Sequence, residues 1–123
     1  MVYPGTHRFR DERIRISSSS IGASPVACYG RVPFRGTVMQ VAAVTQGAIT
    51  TADCTVAFAL NGSANTAGNL TIPVSGAAAG QTAKAIPTAA IYVSEDDVIT
   101  LTPSGASGAA IECEFEITVR DTQ

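Results

Sequence analysis

Residues Ile111–Val119 read IECEFEITV, and the fold turns on their alternation. In an extended chain Ile111, Cys113, Phe115, Ile117 and Val119 point one way, and Glu112, Glu114, Glu116 and Thr118 the other. Period two over nine residues is a strand with one face on a core and one face on water or a partner. The three glutamates repel one another unless they are solvated or matched by cations. A carboxylate pair for glycoside hydrolysis is the catalytic alternative. Neighbours on one strand face sit about 7 Å apart on an open surface, without the pocket such chemistry needs. An exposed or arginine-paired acidic interface is therefore the expectation.

Working back from this strand, short β-prone runs alternate with turn signals. CTVAFAL (54–60) alternates as cleanly, with Val56, Phe58 and Leu60 on one side. TVMQVAAV (37–44), NLTIPV (69–74), AIYV (90–93) and VITLT (98–102) are further strands, and VACYGRVPF (26–34) has strand composition broken at Gly30 and Pro33. SGAAAG is too short and too glycine-flanked for a helix. Many short strands between Gly, Ser, Asn and Pro connections predict an all-β domain, a jelly-roll-like antiparallel β-sandwich over residues 26–123.

Residues 1–25 read differently. THRFRDERIRISSSS (6–20) holds four arginines and the only histidine, His7. Ile14 and Ile16 alternate with Arg13 and Arg15, so the segment is extended and able to pair as a strand, and its arginines are one match for the glutamates of the last strand. The serines read as a flexible joint. The expectation is an extended basic N-terminal arm, able to reach about 65 Å if its first 20 residues were fully drawn out.

The totals narrow the function. The chain has 123 residues, 46% of them hydrophobic, which suits one globular domain. A net charge of −2 argues against a general nucleic-acid binder. The opening residues lack the apolar region of a signal peptide, and no apolar run spans a bilayer, so synthesis in the cytoplasm without a membrane partner is expected. Cys28, Cys54 and Cys113 are too scattered for a zinc site and read as buried thiols, with a disulfide between two of them left open. Glu95, Asp96 and Asp97 gather oxygen ligands that a calcium ion could use, yet they lack the spaced loop pattern, and a polar turn is the simpler reading. NGS (61–63) and NLT (69–71) match the glycosylation sequon but read as a hairpin turn and a strand start. Nucleophile elbow, P-loop and dinucleotide motifs are missing, so neither an enzyme nor a cofactor is expected.

The runs FRGTVMQVAAVTQGAITTADCTVAFALNG, GNLTIPVSGAAAGQTAKAIPTA and VSEDDVITLTPSGASGAAIECEFEITV, over Phe34–Val119, resemble small β-rich proteins of tailed-bacteriophage structural modules. These are capsid decoration (cement) and head-fibre proteins, commonly trimeric jelly rolls. The resemblance implies a virion protein on the capsid surface, made in the host cytoplasm, working as a homotrimer with the major capsid protein as partner. The alternative is a fibre or tail-tip module that binds a cell-surface glycan. On the leading reading, Arg8, Phe9, Arg10, Arg13, Ile14 and Arg15 of the arm would grip the capsid or a neighbouring subunit through charge-assisted bonds.

Overall fold

The computed structural model describes residues 10–105 and 107–121, and Arg8 and Phe9 lie outside that range. Its strands are β1 (Asp11–Ser18), β2 (Cys28–Arg31), β3 (Gly36–Thr45), β4 (Cys54–Leu60), β5 (Ser63–Ala64), β6 (Leu70–Ile72), β7 (Thr82–Ala85), β8 (Tyr92–Val93), β9 (Val98–Pro103) and β10 (Cys113–Asp121). One turn of 3-10 helix, Thr66–Gly68, precedes β6. All pairings are antiparallel and fall into two sheets. The first runs β1-β10-β3-β7, with β8 also on β3; the second runs β2-β9-β4, with β5 and β6 both on β4. From β1 to β4 successive strands alternate between the sheets, β4, β5 and β6 stay together in the second, and the long pairings β1–β10, β10–β3, β2–β9 and β4–β9 join strands distant in sequence. The result is a jelly-roll sandwich, as the alternating short strands predict.

The core is what the alternation dictates. Cys113, Phe115, Ile117 and Val119 of β10 face inward against Val56 and Phe58 of β4, Ile99 and Leu101 of β9, and Val38, Val41 and Ala43 of β3, all in one buried cluster. Thr118 departs from strict alternation, being 9% exposed. It sits where the β10–β3 register shifts, so that Met39 has no partner and the strand bends locally. Asn61-Gly62 closes β4 onto β5 with positive φ at both residues, 51° and 85°, the geometry of a two-residue hairpin turn. The Asn61 side chain is committed there, donating to Asp97 Oδ1 (3.0 Å) and accepting from Val98 N (2.8 Å). Asn69 likewise accepts from Phe58 N at 3.0 Å.

The predicted boundary at residue 25 is corrected. Asp11–Ser18 pairs with β10 over its whole length, from Asp11↔Arg120 to Ser18↔Cys113, and is an outer strand of the first sheet. Ile14 and Ile16 are core residues, 9% and 4% exposed. They pack over Gly30 of β2 so closely that a Cβ there would lie 2.6 Å from Ile16 Cδ1 and 2.9 Å from Ile14 Cγ2. Gly30 is thus the gap that seats β1. The serines are no flexible joint. Ser18 and Ser20 are buried, Ser18 Oγ reaching the carbonyls of Val26 (2.6 Å) and Ser20 (2.9 Å), and Ser20 Oγ donating to Ala23 O (2.6 Å). Ile21 is fully buried and its N–H donates to Ile111 O. These hydroxyls satisfy backbone carbonyls at a buried crossover between sheets, which composition alone cannot distinguish from a linker.

Phe115 is fully buried while Glu114 is exposed on the same strand. Phe115→Ala is expected to lower unfolding free energy by about 3–5 kcal/mol, and Glu114→Ala by less than about 0.5 kcal/mol. Urea denaturation followed by circular dichroism separates the two; equal losses would mean the strand faces are assigned the wrong way round.

Candidate interaction site on the outer face of the first sheet

Pairing β1 with β10 brings the arginine run and the glutamate run onto one solvent face. Arg13 Nε lies 3.2 Å from Glu116 Oε1 and Arg15 Nε 3.6 Å from Oε2, so one carboxylate serves two guanidinium groups. At the far end Arg120 grips Asp11 through both nitrogens, Nε to Oδ1 at 2.9 Å and Nη2 to Oδ2 at 3.1 Å. Arg10 lies 3.4 Å from Asp121 and stacks 4.4 Å over the ring of Phe34. The sequence-predicted match of arginine to glutamate is present, and it is made within one chain. Arg10, Arg13 and Arg15 are exposed while their acidic partners are partly buried, so solvent screens each pair and their larger effect is to set the β1–β10 register.

The six residues assigned to the arm accordingly divide. Ile14 is core, and Arg13 and Arg15 belong to the ladder. Arg10 sits at the ladder's end against Phe34, while Arg8 and Phe9 fall outside the described residues. The acidic face divides too. Glu116 is matched, but Glu112 and Glu114 are exposed and lie along a groove of about 510 Å³ with Ser17, Ser18, Ser19 and Gln46. The flat surface expected around the glutamates is thus corrected to a concavity at the Ser17–Ser19 end of β1. Residues 17–19 and Gln46 come from segments that the strand pattern of β10 cannot locate, so the groove had no local signal in sequence.

The Glu95–Asp97 turn has a different occupation. Asp97 accepts from the Asn61 side-chain amide (3.0 Å) and from Ser94 N (2.8 Å), and these bonds hold its carboxyl below the usual range. Asp96 pairs with Arg31 at 2.5 Å, while Glu95 is exposed. Together they tie the β2–β3, β4–β5 and β8–β9 turns at one end of the sandwich.

The three cysteines are free and buried. Burial pushes the Cys28 thiol up to about 11 and the Cys113 thiol up to about 12. A protonated, enclosed thiol is a poor nucleophile. The folded protein is expected to leave a thiol-specific disulfide reagent at neutral pH essentially unreacted until urea unfolds it, when three equivalents react. Rapid reaction of the native protein would contradict the core placement.

The Arg120 hydrogen bonds hold the Asp11 carboxyl below the ordinary aspartate range. A depressed folded pKa stabilises above the unfolded value, and that contribution is lost as pH falls through the folded one. Asp11→Asn is expected to melt below wild type at neutral pH, with the two melting curves converging in strong acid. A constant gap across the acid range would show that the pair does not contribute through its charge.

No protein-family model matches the chain, and no curated protein matches it. Among solved structures, a chain of the "acidic stable capsid structure of Helicobacter pylori bacteriophage KHP30" superposes with a TM-score of 0.55 over 94% of this chain and 95% of that one, at 8% identity. The two chains share a fold along nearly their whole length.

Proposed function

We propose that the chain is a bacteriophage virion structural protein, one that decorates and cements the outer surface of the capsid as a homotrimer, with the major capsid protein as its partner. The observation that carries this reading is the end-to-end likeness of fold to a chain of a phage capsid structure. The sequence resemblance over Phe34–Val119 to phage decoration and head-fibre proteins points the same way. A small sandwich of short strands, with a neutral Thr/Ala-rich outer face on its second sheet (Thr55, Ala57, Thr71, Thr102), suits a coat element that must sit closely against neighbours without general stickiness. A trimer would match a three-fold position on an icosahedral lattice. Synthesis belongs in the host cytoplasm and residence on the virion surface. Any anchoring by the N-terminus would fall to the residues up to Arg10, since β1 is engaged in the sandwich.

A fibre or tail-tip module that binds a glycan is the second reading, favoured by two exposed aromatics, Tyr29 (66%) and Tyr92 (73%). They stand on β2 and β8, in different sheets, and do not form one platform.

Purified protein is expected to sediment as a trimer with or without EDTA and to pellet with undecorated shells of its phage, raising the temperature at which those shells break. Protein that stays in the supernatant at saturating shell concentration would contradict the decoration reading. Binding to host surface polysaccharide that is lost on Tyr29→Ala or Tyr92→Ala would favour the second.

A further inference from the structure

We infer that the groove at the Ser17–Ser19 end of the first sheet receives the N-terminal segment of a second copy of this chain, with Arg8 as the anchoring cation. The groove is lined by two carboxylates, Glu112 and Glu114, together with Ser17, Ser19 and Gln46, whose side chains can also accept hydrogen bonds. Among the described residues neither Glu112 nor Glu114 makes an ion pair, although Glu116 on the same strand makes two. A guanidinium, planar and with five N–H donors, complements such a set better than a point charge does.

The remaining cations narrow the donor. Arg13 and Arg15 are held by Glu116, Arg31 by Asp96, Arg120 by Asp11, and Arg10 lies against Asp121 and Phe34. Arg35 lies in the β2–β3 turn at the opposite end of the sandwich, and Lys84 on β7 across the sheet. Arg8 stands three residues before the start of β1 in the sequence.

Its own groove is out of reach. Arg10 continues the β1 ladder, its carbonyl accepting from Asp121 N. Seven strand steps put about 23 Å between Arg10 and Ser17, the partner of Glu114 in register. Arg8 lies within about 7 Å of Arg10 along the chain, so even a chain turned straight back leaves it about 16 Å short, beyond the roughly 11 Å that an arginine and a glutamate side chain span together. The start of β1, to which the basic segment is joined in sequence, and the acidic groove therefore stand at opposite ends of one strand pair. That is a head-to-tail arrangement, in which each copy gives one contact and receives one, and it forms a ring where the rotation between copies closes and a filament where it does not. Three copies close the ring in the trimer of the proposed function. The inference takes only the number of copies from that reading; the contact itself needs no shell.

The test is an Arg8→Cys, Ser19→Cys double variant of the full chain, oxidised with oxidised glutathione and run on a non-reducing gel, with each single variant alongside. The expected result is covalent multimers, ending at three copies and reversed by dithiothreitol, from the double variant alone. The native cysteines are buried and do not compete. Folded double variant that stays monomeric, or that closes within one chain, overturns the inference. A charge swap provides the second readout. Arg8→Glu is expected to sediment as folded monomer, and Glu112→Arg with Glu114→Arg in that same chain to restore the oligomer. An Arg8→Glu variant that keeps the wild-type sedimentation coefficient, or a swap that restores nothing, overturns it equally. Cross-linking without shell binding would count against the decoration reading alone, and shell binding without cross-linking against this contact alone.

Discussion

Pairing of β10 on both of its edges is the constraint on which the rest of the structure depends. One edge takes β1 and the other takes β3, so the first and last of the described strands lie side by side and β3 carries the sheet on to β7 and β8. The inner face of β10 supplies Phe115 and Ile117 to the core, and the outer face supplies the carboxylates that select arginines on β1. A slip of one residue would turn the glutamates into the core and Phe115 into water, so burial and charge fix the same register independently. Few of the contacts are local in sequence, and a fold of this kind gathers its stability only when the chain ends have met.

This dependence explains what could be read in the sequence. β4 was legible at both ends, because Cys54–Leu60 alternates strictly and is bounded by a polar connection and Asn-Gly. β10 was legible in type and facing, although its pairing runs on to Asp121. β1 was half legible. Its extended character follows from Ile14 and Ile16 alternating with arginines, but two apolar residues among so many charges give no sign that they are core. What makes them core is Gly30 on another strand and the register with β10, both distant in sequence. Ser18 and Ser20 misled for a related reason: a serine that satisfies buried carbonyls and a serine in a linker have the same composition. The two-residue strands β5 and β8 exist only because β4 and β3 offer edges to them.

The candidate site was legible as chemistry and illegible as shape. Arginine opposite glutamate followed from like-charge repulsion along a strand, and Glu116 has both Arg13 and Arg15. That the same face would leave Glu112 and Glu114 beside a groove required the placement of Ser17–Ser19 and Gln46, which come from other segments. The consequence for function is a division of labour along one strand pair. Its ladder half pairs Arg13 and Arg15 with Glu116 and Arg120 with Asp11, while among the described residues Glu112 and Glu114 of its groove half make no ion pair.

The central claim is that the chain is a coat element of a phage particle, and cryo-microscopy of the assembled particle at side-chain resolution tests it most directly. The account predicts jelly-roll density for this chain on the outer surface of the capsid, in three-fold groups, touching the major capsid protein. Density for it at a tail tip or fibre, or a particle that lacks the chain altogether, would contradict the account.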